Sequence, residues 1–199
     1  MIYPDISNLS YVVLDTETTG LKWYRDRPFC LAVAAPGIKS FVVDLESSVG
    51  LRWACKQIPQ IKRAVFHNAK FDCHMLKGLD IDINYDKVDC TLIMATLINE
   101  HEHSYSLDHL AEKNLNIRKM PSLYEKLAGI YGGPATKKQM FNIYQCWRSP
   151  NMQLVIDYDI QDVEVTKALY EFLHPMIEEQ DLGKVYKLEM NLMPVLMDM

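Results

Sequence analysis

No stretch of about 18 consecutive apolar residues occurs in this 199-residue chain, so the sequence predicts no membrane-spanning helix. The opening residues, MIYPDISNLS, lack the basic and apolar regions of a secretory signal. Cysteine is sparse: the five present (Cys30, Cys55, Cys73, Cys90, Cys146) are odd in number and form no C-x-x-C pair. That argues against a disulfide framework and against structural zinc, and for free thiols in a reducing cytoplasm. No internal repeat or low-complexity segment is present. Gly132-Gly133 is not followed by the G-K-[ST] of a phosphate-gripping loop. Histidines offer no competing metal centre: His101 and His103 fall in a polar stretch and read as solvated. Cys73 and His74 adjoin each other, but their spacing supplies no convergent zinc set.

Positive charge is also scarce. A net charge of −5 argues against long, sequence-independent duplex binding, which rests on many phosphate contacts. It does not exclude nucleic acid, because a site that collects four carboxylates for cations would account for most of the excess.

What the chain does contain is one domain's worth of core, with 49% apolar and 24% charged residues. Tyr11–Leu14 reads as a buried strand. Phe29–Ala35 and Ser40–Asp44 follow as strands around the turn Pro36-Gly37. Asp44–Gln57 has helical spacing, Ala64–Phe66 is a further short strand, and Ala69–Lys77 a helix. From Asp89 onward helices dominate, over Thr91–Asn99 and then from a Ser106 cap. Residues 118–150 are the least regular. A long helix is expected from Met152 to His174, halted near Pro175, and a final helix over Ile177–Met199. Strands first and helices later predict an α/β fold around a mixed sheet.

Asp15 and Glu17 stand two residues apart at the end of the first strand, where alternation aims both carboxylates the same way. Paired acids at the end of a buried strand raise each other's pKa unless a cation neutralises them. Mg²⁺ or Mn²⁺ suits such oxygen donors. D-x-E alone reads more readily as a solvated strand end. Two later segments add to it: Asp72 on the first turns of a helix in HNAKFD, and Tyr158 with Asp162, four residues apart on one helical face in YDIQD.

DTETTGL, HNAKFD and Y-x-x-x-D, in this order, resemble the three exonuclease motifs of the tyrosine-containing branch of the DEDD superfamily. VDCTLIMATLI and SYSLDHLAEKNL resemble the helices between its second and third motifs. DYDIQDVEVTKALYEFL is similar to the third motif of bacteriophage family A DNA polymerases. The resemblance implies a ribonuclease H-like mixed β-sheet flanked by α-helices. It also implies 3′→5′ removal of nucleotides from a single-stranded DNA end, as in proofreading, with two divalent cations, Mg²⁺ or Mn²⁺. By that likeness Asp15, Glu17 and Asp162 hold one ion, and Asp15 and Asp72 the second. Tyr158 and Glu17 orient the attacking water.

The resemblance further suggests contacts to the terminal nucleotide from Asn68, from the Thr16 backbone N–H and from Lys70. Leu21 falls where the family wedges against the terminal base, and reads as well as a buried core leucine. Trp23, Tyr24, Arg25 and Arg27 interleave rings and charges as single-strand binding needs. Arg118, Lys119, Lys137 and Lys138 are further phosphate candidates. KLEMNLMPVLMDM resembles the passage from exonuclease to polymerase domain, which divides the chain into an exonuclease domain at 1–176 and a junction helix at 177–199. Its methionines are expected to pack on a partner. The implied partners are a single-stranded 3′ DNA end and a family A polymerase domain, in cis or in trans, in the cytoplasm of a bacterial or phage-infected cell. Two other readings stay open: a free-standing exoribonuclease of the same superfamily, and a silent nucleic-acid-binding scaffold.

Overall fold

The computed structural model describes residues 3–117 and 123–199 of the chain. Five strands form one mixed sheet: β1 (Val12–Thr18), β2 (Pro28–Ala34), β3 (Phe41–Asp44), β4 (Ala64–Phe66) and β5 (Val88–Cys90), in the order β3-β2-β1-β4-β5. The first three are antiparallel neighbours, whereas β4 runs parallel to β1 and β5 parallel to β4. The helices are α1 (Ser48–Gln57), α2 (Ala69–Lys77), α3 (Thr91–Ile98), α4 (Leu107–Leu115), α5 (Leu123–Tyr131), α6 (Met140–Trp147), α7 (Met152–Glu179) and α8 (Gly183–Asp198). Among the described residues no helix is long and apolar enough to cross a membrane.

Strand alternation builds a layer on each face of the sheet. Val12 and Leu14 pack with α1, α2 and α8, while Val13 packs with α3, α4 and α7. Each such fully buried side chain stabilises the fold by about 1.5–3 kcal/mol. A third cluster gathers Phe29 and Cys30 of β2 with α5, α6 and the start of α7. The irregular stretch expected at 118–150 therefore contains two helices. Gly132 and Gly133 between them have φ of 77° and 86°, which a side chain rarely adopts.

Two further expectations are corrected. Pro175 does not halt α7, because the stripe Leu169, Tyr170, Leu173 and Ile177 is buried on both sides of the proline. That continuous packing outweighs the lost backbone donor. The helix stops instead where Asp181 turns left-handed (φ 53°) and Leu182 N–H bonds Ile177 C=O at 2.9 Å. A boundary between residues 176 and 177 thus falls inside a helix. The methionines of the last helix also differ from expectation: Met190, Met193 and Met197 enter the same core as β1.

Candidate active site

The site lies where β1 outruns its parallel neighbour. β4 pairs with β1 only at Val12 and Val13 and ends at Phe66, so the last residues of β1 have no parallel partner on that side. In place of a strand carbonyl, Asp72 reaches in from the first turn of α2. Its Oδ1 accepts the Thr16 backbone N–H at 3.0 Å and the Thr16 hydroxyl at 2.7 Å. A carboxylate in the first turn of a helix also lies at the favourable end of its dipole. On the β2 side the register slips between Glu17 and Thr18, a bulge that bends the strand next to the acids.

Asp15 and Glu17 share the strand parity of Val13 and therefore face the layer that contains α7. Asp162 and Tyr158 come from that helix, and Tyr158 hydrogen-bonds Asp162 one turn later. The structure thus brings Asp15, Glu17, Asp72, Asp162 and Tyr158 to one strand end from elements on both faces of the sheet.

Electrostatics bear on this convergence. Burial, then the charges of Asp72, Asp162, Glu17 and Asp159, push Asp15 well above the ordinary carboxylate range. Burial lifts Asp72 to about 7, against the pull of its bonds from Thr16. The Tyr158 phenol is raised by burial and then by Asp162 and Glu17. These acids resist ionising together, and a cation among them would reverse that preference. The donors are carboxylate oxygens, so the set fits a hard divalent ion such as Mg²⁺ or Mn²⁺ better than zinc.

Sequence reasoning missed one member. Asp159, 1% exposed on α7, accepts the Cys30 thiol at Oδ2 (3.1 Å), while its Oδ1 is buried without a hydrogen-bond partner. Burial first, then Glu17, raises its pKa well above the usual range. The signal was present in YDIQD, where Asp159 precedes Asp162 by three residues and so shares its helical face.

The other expected contacts divide. Leu21 is 63% exposed on the loop after β1, which removes the core-leucine alternative. Asp26 holds that loop by accepting Lys22 N–H at 2.9 Å, and Trp23 stacks on His74 of α2 at 4.6 Å. Asn68 is exposed and left-handed (φ 68°), and its side chain does not cap α2. Lys70 is exposed on the first turn of α2. Thr16 is placed differently from expectation: its N–H is committed to Asp72, which makes Thr16 a residue that orients that acid. Tyr24, Arg25 and Arg27 are all exposed; Arg25 pairs with Asp26 at 3.4 Å and Arg27 with Glu46 at 3.3 Å, beside Arg148 and Tyr144. Lys138 is exposed, whereas Arg118, Lys119 and the side chain of Lys137 lie outside the described residues. A cavity of about 500 Å³ between β5 and α8, bordered by Arg63, Asp89, His174 and Tyr186, shares no lining residue with the carboxylate cluster.

Comparison with known proteins bears on the family and the fold. Residues 2–178 match a family model described as 3′-5′ exonuclease, of the DNA polymerase A type. The DNA polymerase DpoZ of Salmonella phage PMBT28 is 42% identical over 195 residues, covering 97% of this chain and 31% of that protein. The chain spans 31–32% of the length of the curated relatives it matches. Among solved structures, Brucella melitensis NrnC with bound Mg²⁺ superposes with a TM-score of 0.68 at 20% identity, over 98% of this chain and 86% of that one. The polymerase domain of Pol1 from M. smegmatis, complexed with DNA primer-template and dNTP, gives 0.71 at 16% identity, over 97% and 28%. At such identities these likenesses establish the fold alone, which is ribonuclease H-like. By the span of the family match and the sheet that underlies it, the chain belongs to the 3′-5′ exonuclease domain family of the DNA polymerase A type.

Proposed function

We propose that this domain hydrolyses the 3′-terminal phosphodiester of single-stranded DNA with two divalent cations, as the proofreading part of a family A polymerase. The convergence of Asp15, Glu17, Asp72 and Asp162 beside Tyr158 carries this reading. Asp15, Glu17 and Asp162 would hold one ion, and Asp15 with Asp72 the other. When bound, such ions lower the pKa of the attacking water and neutralise charge on the scissile phosphate and the leaving oxygen.

The chain's own groups do the rest. Tyr158 and Glu17 orient the water in line with the bond to be broken. Thr16 fixes Asp72 through two hydrogen bonds, so that this ligand is preorganised. The exposed Leu21 packs against the terminal base, and the Asn68 amide and Lys70 approach its sugar and phosphate. Water oxygen bonds to phosphorus, the P–O3′ bond breaks, and a nucleoside 5′-monophosphate leaves a strand with a new 3′ hydroxyl.

The polymerase context rests on the relatives, which are named DNA polymerases and are 34–42% identical. α8 would then lead toward a polymerase domain, in cis or in trans, with Leu188, Leu192, Val195 and Leu196 as its exposed apolar stripe.

The test is a 5′-labelled single strand incubated with Mg²⁺ or Mn²⁺, with chelator, and with Asp15→Ala. A ladder of shortening products is expected with metal. A loss of at least about 10³-fold is expected in the other two conditions. Activity that survives Asp15→Ala would overturn the mechanism. A clear preference for a matched RNA strand would favour the exoribonuclease reading, and binding without cleavage the scaffold reading.

A further inference from the structure

Nitrogen and oxygen donors gather where the loop between α3 and α4 meets the first turns of α4. We propose that Glu102, His103 and His109 bind one transition-metal ion of the zinc class, which clips this loop to α4. The sequence set His103 apart as solvated, and only the fold brings it to His109, whose ring centroid lies 4.0 Å away. The three ligand atoms lie within 4.8 Å of one another.

The geometry suits a tetrahedral ion. Glu102 Oε1 is 2.9 Å from His109 Nε2 and 3.2 Å from His103 Nδ1. Two atoms each about 2.0–2.1 Å from a tetrahedral zinc lie about 3.3 Å apart, close to both Glu102 distances. Glu102 is also held as a ligand requires. Its side chain is only 6% exposed, and its Oε2 accepts from Lys113 Nζ and from Asn99 Nδ2, which leaves Oε1 toward the imidazoles. The ion takes the tautomer of His109 whose proton sits on Nδ1, so that the Nε2 lone pair is free to go to the ion. With two imidazoles and one carboxylate the set selects zinc, cobalt or nickel over magnesium, and solvent fills the fourth position.

The clip has a structural consequence. Tyr105 of the same loop accepts His67 Nε2–H at its carbonyl (3.0 Å), and His67 immediately precedes Asn68 and α2. An ion at Glu102 would therefore stiffen the loop that supports the entry to α2. The site is independent of the exonuclease reading, because it shares no residue with the carboxylate cluster.

The experiment uses the untagged chain in excess Mg²⁺, which occupies hard oxygen sites, and titrates Co²⁺ while recording the visible spectrum. One equivalent with the absorption of a four-coordinate, nitrogen-ligated ion is expected. Asp15→Ala retains that equivalent, whereas His109→Gln and His103→Ala weaken it at least about 10-fold. Melting temperatures in chelator establish that both histidine variants remain folded, and Zn²⁺ should raise the parent's melting temperature but not theirs. Co²⁺ binding unchanged in both histidine variants, or lost in Asp15→Ala, would overturn the proposal.

Discussion

Asp72 and Asp159 show how single residues set the chemistry of the site. Asp15, Asp72 and Asp159 hold protons more tightly when folded than an ordinary aspartate does. A raised acid pKa contributes stability below the unfolded value, 3.8, and that contribution is lost as pH rises through the folded value, about 7 for Asp72. In chelator, the chain should therefore melt on the order of 5 °C lower at pH 8 than at pH 5. On the proposed two-ion reading, Mg²⁺ at pH 8 should restore the loss, because a ligand that binds only the folded state stabilises it. Asp159→Asn removes one of the three acids, so its melting temperature should depend less steeply on pH. A chelated protein that melts higher at pH 8 than at pH 5 would contradict this account. At this scale the four acids of the three motifs were legible as residue types at known spacings. Asp159 was legible only as a neighbour, because its burial against Cys30 depends on a contact 129 residues apart.

At the scale of elements, brevity explains why one strand escaped the sequence. Val88–Cys90 is a three-residue strand with Asp89 at its centre. No alternation marks it, and buried Asp89 accepts the hydroxyls of Tyr170 and Tyr186 at 3.0 Å each and pairs with Arg63 at 3.6 Å. α7 was legible in its apolar stripe but not in its length, since a proline stops a helix only when packing does not carry it through. The turn from β3 into α1 is a further constraint at this scale. A Cβ on Gly50 would stand 2.0 Å from the Asp44 carbonyl oxygen, which is backbone and cannot swing aside. Gly50→Ala should thus destabilise the fold by about 1–3 kcal/mol, a drop of roughly 2–4 °C per kcal/mol in a chain of this size. Thermal melting with Mg²⁺ present checks it, and an unchanged midpoint would show that this turn relaxes freely.

Across the whole molecule, α8 joins two surfaces. Met190, Met193 and Met197 seal the core, while Leu188, Leu192, Val195 and Leu196 form an exposed stripe. Contiguous exposed apolar surface favours association. Replacing Leu188 and Leu192 with lysine should leave stability within about 0.5 kcal/mol, because neither packs on the core. It should also reduce self-association of this chain, measured by light scattering across a concentration series. Equal scattering by parent and variant would mean that the stripe is inert in isolation.

The sequence by itself determined the family and the direction of the first two acids. D-x-E on a strand faces one way through alternation alone, and Y-x-x-x-D on a helix does so through its pitch. Both periods are local, so they could be read without the fold. Tertiary structure decided how those directions meet. β4 ends at Phe66 and leaves the Thr16 N–H to Asp72, 56 residues away, while α7 closes over the opposite face of the same strand. It also decided that Leu21 stands in solvent and that His103 and His109 share Glu102. Each of these depends on which distant segments pack together, and local periodicity holds no record of that.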